Sequence, residues 1–192
     1  MSTDSEIMRR SLDHPSAFAE VFDRHARAIG AYAARRVGPD AAEDVLSETF
    51  LVAFRRRAAF DRNAESALPW LFGIASRLVR THRAREARQW RTYEASVSRS
   101  EHVQADETEE LHSRLDAEAE VHRLAGRIAA LSTQDRDTLL LHAWGDLTYE
   151  QIAEALRVPV GTVRSRLNRV RRRLDDSRST RIRREDVDGR LA

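Results

Sequence analysis

Between Thr148 and Leu174 the chain is punctuated as two helices joined by a tight turn, and few architectures accommodate that pattern. Thr148-Tyr-Glu-Gln151 has the form of a capping box, in which the first and fourth side chains satisfy free N–H groups at a helix start. Ile152, Ala153 and Leu156 supply the buried face of a short helix, and Arg157-Val-Pro159 makes the turn. Beyond it Val163, Leu167, Val170 and Leu174, spaced by four, three and four, form one apolar stripe of a second helix. Arg164, Asn168, Arg171 and Arg172 project from its other faces. This is helix-turn-helix patterning: the stripe holds the second helix against its partner and leaves its N-terminal polar face free to enter a major groove. The segment holds seven arginines against two acids, and arginine's planar fork takes guanine bidentately or binds phosphate. Arginine content alone would fit a solvated surface helix; the capping box, turn and stripe together favour the DNA-reading alternative.

The rest of the chain is also helical in period. Phe18, Val21, Phe22, His25, Ile29, Tyr32 and Ala33 share one spacing, with Pro15 suited to the start and Gly38-Pro39 as a break. Ala42, Val45, Leu46, Thr49, Phe50 and Ala53 define a second helix. FDRNAESA, from Phe60 to Ala67, reads as a loop, and Leu71, Phe72, Ala75, Leu78 and Val79 mark a third helix running into THRAREARQWR. Ser132 suits an N-cap for a helix carrying Leu139, Leu140 and Leu141, closed by Trp144-Gly145. No strand-like alternation of useful length occurs, so the expected fold is all-α: two small helical domains, a three-helix bundle and a helix-turn-helix, on a flexible linker.

Charge is sorted along the chain. The 33 basic residues, all arginine, nearly cancel 31 acids. Six arginines against one acid lie between Leu71 and Thr92, whereas Tyr93 to Val121 holds nine acids and two arginines. Two basic faces flanking an acidic linker point to polyanion binding. With no cysteine, thiolate metal sites and cysteine nucleophiles are excluded. His102, His112 and His122, ten apart, fall on different helix faces and read as linker solvation. No HExxH, GxSxG or phosphate-cradling glycine loop is present, so neither a catalytic residue, a metal site nor a cofactor is expected. The longest uncharged run, Ser66 to Ser76, is well short of the roughly 18 residues that span a bilayer, and the amino terminus lacks a signal-peptide pattern. The expectation is a cytoplasmic protein without membrane insertion.

LTYEQIAEALRVPVGTVRSRLNRVRRRL resembles the promoter-reading C-terminal region of bacterial sigma factors of the extracytoplasmic-function group. Upstream, AEDVLSETFLVAFR (Ala42 to Arg55) resembles their core-polymerase-binding helix, and LPWLFGIASRLVRTHRARE (Leu68 to Glu86) resembles the segment that reads the −10 element. The resemblance implies an alternative sigma factor, not an enzyme, which binds core RNA polymerase through the β′ clamp and β flap and directs promoter-specific initiation. It divides the chain into an N-terminal tail (1–14), region 2 (15–92), an acidic linker (93–114), region 4 (115–176) and a C-terminal tail (177–192). Arg164, Ser165, Asn168 and Arg169 fall where relatives contact the −35 element, with Thr162, Arg166 and Arg172 completing that set. Asn63, in the loop where relatives capture an extruded base, and Arg77, Arg80 and Arg83 are the implied −10 contacts. Asp44 and Glu48 occupy the positions that face the clamp; without the resemblance, Glu43, Asp44 and Glu48 read as a solvated helix face. Trp70, Leu71, Phe72 and Ile74 read as core. An anti-sigma factor is the further partner the resemblance implies.

Three departures from the family pattern matter: Ser47 replaces a common glutamine, Ser76-Arg77 replaces an arginine-asparagine pair, and Arg157 stands at a turn glycine. The last requires Arg157 to adopt a conformation easier for glycine. The rival reading is a helix-turn-helix regulator that binds operators without polymerase.

Overall fold

The computed structural model describes residues 2–97 and 123–188, and every regular element among them is helical. Helix α1 spans Asp4–Asp13, α2 Ala19–Val37, α3 Pro39–Arg56 and α4 Leu68–Val97. After helical residues 123–129 come α5 (Thr133–Trp144), α6 (Tyr149–Leu156) and α7 (Val160–Asp188). The acidic linker, apart from residues 93–97 at the end of α4, lies outside the described residues, as do Leu115 and Val121.

Two expectations change at the ends. Residues 1–14, expected as a tail, contain α1. Thr3 Oγ1 accepts from Glu6 N–H and Glu6 Oε2 accepts from Thr3 N–H, a second capping box, and Ile7 and Met8 are buried. At the other end α7 continues to Asp188 through most of the stretch expected as a C-terminal tail.

Helices α2, α3 and α4 pack as the first bundle. Val21, Ile29, Tyr32 and Ala33 of α2 meet Val45, Phe50 and Ala53 of α3 and Leu71, Phe72, Ala75 and Val79 of α4. The α2–α3 corner needs Gly38, at φ 81°, and Pro39 then opens α3, where its missing N–H costs nothing. Trp70 is half-buried with its ring 5.3 Å from Phe60, and Leu71, Phe72 and Ile74 are buried, as expected of core residues.

Asp4 fastens α1 to this bundle. Its carboxylate, 5% exposed, meets Arg24, His25 and the Ala67 N–H. Burial raises the Asp4 carboxyl, but hydrogen bonds from His25 and Ala67, the His25 charge and a hydrogen bond from Arg24 hold it well below the usual carboxylate range. A carboxyl lowered on folding stabilises fully above its unfolded value near 3.9, and that contribution is lost as pH falls toward the folded value. The melting temperature is therefore expected to drop steeply below about pH 4, and Asp4→Asn should flatten that acid limb.

The second bundle is built as its sequence signals require. Ser132 Oγ accepts from Asp135 N–H at the start of α5, and both capping-box bonds form between Thr148 and Gln151 at the start of α6. Helix α6 ends in a Schellman turn: Val158 N–H bonds Ala153 C=O, Arg157 N–H bonds Glu154 C=O, and Arg157 sits left-handed at φ 54°. A side chain there carries a penalty that glycine avoids. Arg157→Gly is expected to stabilise the fold by about 0.5–1 kcal/mol, checked as an upward shift of the denaturant midpoint.

Candidate nucleic-acid interface

On α7 the apolar stripe is seated as expected, with Val163, Leu167 and Val170 buried. Arg164, Ser165, Asn168, Arg169 and Arg172 are exposed, and Thr162 and Arg166 are half-buried. Two members are tied back to the first turn of α5: Arg169 Nη1 donates to the buried Asp135 Oδ1 at 2.8 Å, and Arg166 Nη2 donates to Gln134 Oε1 at 3.0 Å. These bonds set the angle of α7 on its support. Ser165 Oγ donates to Thr162 C=O at 3.0 Å, while Arg164, Asn168 and Arg172 extend the exposed face.

The −10 candidates lie on α4 and the loop before it. Asn63 is exposed, and its backbone N–H donates to Asp61 Oδ1 at 2.9 Å in an Asx-type turn. Arg83 is exposed as well. Arg77 Nε donates to Gly73 C=O at 3.1 Å; burial, then the neighbouring charges of Arg157, Arg56 and Arg80, pushes its guanidinium below the ordinary value. Arg80 is engaged by an acid from the other half of the chain: its Nη1 donates to Asp137 Oδ2 at 3.0 Å.

Asp137 is the centre of a buried network. It is fully buried on α5, and its other oxygen accepts from Arg36 Nη2 at 2.8 Å, an arginine itself 5% exposed. Arg36 Nη1 donates to the Tyr32 hydroxyl, which shares a 2.9 Å hydrogen bond with Ser76 Oγ. Burial raises the Tyr32 phenol, keeping it protonated. Ser76 is fully buried, so the first half of the Ser76-Arg77 departure has a structural use: a small hydroxyl fits beneath Tyr32 where a long cation would not. Nearby, burial and the charges of Arg83 and Arg36 lower Arg136. Arg36 and Arg80 thus share one carboxylate, with Arg136 near enough to feel its charge.

The two halves also touch through backbone. A Cβ added to Gly73 of α4 would lie 2.5 Å from the carbonyl oxygen of Ala155 of α6, so that crossing admits only glycine. Glu154 of α6 lies near the loop, its carboxyl raised by burial and then by Asp61. Leu140, Leu141, Ile152 and Val163 belong to the same buried cluster as Phe72 and Tyr32. In this arrangement the helix-turn-helix covers part of the basic face of α4.

On the opposite side, α3 and α4 form an open groove of about 480 Å³, lined among others by Asp44, Ser47, Glu48, Leu51, His82 and Arg85. Asp44 and Glu48 are exposed on one wall, joined by Leu51, an apolar side chain 41% exposed. Arg85, counted by its sequence block with the basic −10 face, instead lines this groove. Sequence reading missed Asp137, Gly73 and Asp4, whose partners are distant in the chain; only α1 carried a local signal, its Thr3-to-Glu6 capping box.

Comparison with known proteins converges on one family. Residues 21–89 match the model of Sigma-70 region 2, and residues 122–174 match that of Sigma-70, region 4. The RNA polymerase sigma factor HrpL of Pseudomonas syringae pv. syringae is 32% identical over 144 residues, covering 74% of this chain and 77% of that protein. The ECF RNA polymerase sigma factor SigL of Mycobacterium tuberculosis is 32% identical over 149 residues, covering 77% and 81%. Among solved structures, CnrH in complex with the cytosolic domain of CnrY has the same fold, with a TM-score of 0.62 at 20% identity, covering 93% of this chain and 99% of that one.

Proposed function

The chain belongs to the extracytoplasmic-function group of RNA polymerase sigma factors, and from that membership we propose how its surfaces divide the work of initiation. It is an alternative sigma factor that directs promoter-specific transcription. Its contribution is recruitment and positioning rather than catalysis, performed in the cytoplasm. No described helix is long and apolar enough to cross a membrane.

The groove wall with Asp44 and Glu48 receives the β′ clamp of core polymerase, with Leu51 as an apolar neighbour, and region 4 meets the β flap. Asn63, Arg77, Arg80 and Arg83 engage the −10 element, the loop holding a base that has left the stack and the arginines tracking phosphates. Thr162, Arg164, Ser165, Arg166, Asn168, Arg169 and Arg172 engage the −35 element. Spanning both elements requires region 4 to leave α4, because the Arg80–Asp137 pair holds the −10 face against α5 and the Gly73–Ala155 crossing holds it against α6. Core polymerase, by holding each region at its own site, supplies that separation. An anti-sigma factor is the opposing partner, one that favours the covered state.

One observation carries this reading: an exposed polar and arginine face on the second helix of a capped helix-turn-helix, with a separate bundle bearing its own basic helix before it. Run-off transcription with purified core polymerase and genomic fragments tests it. Specific starts that depend on this chain are expected, and none appearing with active core would overturn it. An operator-binding regulator predicts instead tight sequence-specific binding by the free chain. In the same assay Arg164→Ala is expected to cost about 1–3 kcal/mol at one or two −35 positions; a uniform loss on all sequences would make it a phosphate contact.

A further inference from the structure

The loop that carries Asn63 is held at its base by the N-terminal helix. Asp4, the first residue of α1, is 5% exposed. Its Oδ1 accepts from Arg24 Nη1 at 2.9 Å, and its Oδ2 lies 2.7 Å from His25 Nε2. That same Oδ2 accepts the Ala67 N–H at 2.8 Å and, more weakly, the Ser66 hydroxyl at 3.4 Å. The next residue, Ser5, donates its hydroxyl to the Ala64 carbonyl. Two consecutive residues of α1 therefore grip three residues of the loop, Ala64, Ser66 and Ala67, and tie them to α2.

The grip is one-sided. It ends where the loop turns outward: Arg62 and Asn63 are exposed, and the tip is shaped by local bonds to Asp61, whose Oδ1 accepts the Asn63 N–H and whose carbonyl accepts the Ala64 N–H. The carboxylate also sits one residue before α4, where its negative charge meets the positive end of the helix dipole. It thus sets where the loop stops and α4, with Arg77 and Arg80, begins. A base taken out of the duplex has lost its stacking, so the site that receives it must already be ordered for capture to favour one base over another.

We propose that Asp4, assisted by Ser5, is a positioning residue for −10 readout: it clamps the base of the 61–67 loop onto α2 so that Asn63 is presented to DNA in a single geometry. This rests on the reading that the loop meets the −10 element. The Asp4 bonds to Arg24 and His25 and the packing of α1 alone would give Asp4 a general stabilising role, which affects both promoter elements alike; the clamp affects one.

The test uses the full chain with core RNA polymerase and a promoter pool randomised at both elements, the transcripts being sequenced. Wild type should enrich defined −10 and −35 sequences; if it enriches none, the underlying sigma reading fails and the clamp with it. With wild-type enrichment in hand, Asp4→Asn is expected to flatten −10 preference about tenfold, the loss of a charge-assisted hydrogen bond, while −35 preference holds. If Asp4→Asn does not fold, as judged by its circular dichroism melt, Ser5→Ala decides by the same criterion. Unchanged −10 preference, or an equal loss at both elements, overturns the clamp while leaving the sigma reading intact.

Discussion

Replacing Asp137 with alanine is expected to cost about 3–5 kcal/mol of stability, because it leaves a buried cation without its counter-charge. Arg36 keeps only 3% of its side chain in solvent, and its remaining hydrogen-bonding partner is a neutral phenol. Arg80, 38% exposed, can turn to water and so contributes little to the loss. The cost therefore follows Arg36, which predicts the pattern across a series. Asp137→Asn keeps an acceptor and loses the charge, so its cost should be intermediate. Arg36→Met combined with Asp137→Leu, which removes both charges at similar volume, should recover most of the stability. Asp23→Ala, on the exposed face of α2, should stay within about 0.5 kcal/mol of wild type. Urea midpoints at constant slope read all four. An Asp137→Ala cost no larger than that of Asp23→Ala would mean that Arg36 reaches water by another route.

What could be read from the chain alone follows how far each interaction reaches along it. The helix-turn-helix was legible because every step of it is local: the Thr148 to Gln151 box, the Ala153 to Val158 bond, the three- and four-residue steps of the stripe from Val163. Even the strain at Arg157 could be anticipated, since a turn of that type needs a left-handed residue at a fixed offset. The same box at Thr3 to Glu6 marks α1, yet the short helix behind it is stabilised by Asp4, whose partners lie 20 to 63 residues away. Asp137 looks like any polar residue of an amphipathic helix until Arg36, 101 residues earlier, is placed against it. Arg85 was grouped with Arg77, Arg80 and Arg83 by sequence block, but helical rotation turns it to the groove with Asp44 and Glu48. Charge blocks locate a face to within a helix, and only packing decides which side of the helix it is. How the two halves meet had no local signal at all.

That meeting rests most narrowly on Gly73, and Gly73→Ala is expected to force the halves apart. The new methyl would sit 2.5 Å from the Ala155 carbonyl oxygen, an approach that only a backbone shift relieves. Helix α6 has no freedom to make that shift, being capped at Thr148, closed by the Schellman turn at Arg157 and packed on α7 through Ile152 and Val163. Helix α4 is equally constrained by Leu71, Phe72 and Ala75. Overpacking of this kind costs about 1–3 kcal/mol, and the whole of it falls on the docked arrangement, since alanine improves the helix at position 73 itself; the substitution therefore shifts the chain toward the separated state. The expected result is unchanged helicity by circular dichroism with a larger radius of gyration in solution scattering, against about 16 Å for a compact chain of this length. Separation also withdraws the Asp137 carboxylate from Arg80 and α6 from the face of α4, so the free variant should bind DNA non-specifically more tightly than wild type, with a steeper salt dependence. A variant that stays compact and keeps wild-type DNA affinity would show that α4 and α6 do not hold the two halves together. A variant that opens without gaining affinity would show that the contact stabilises the fold but does not cover the basic face.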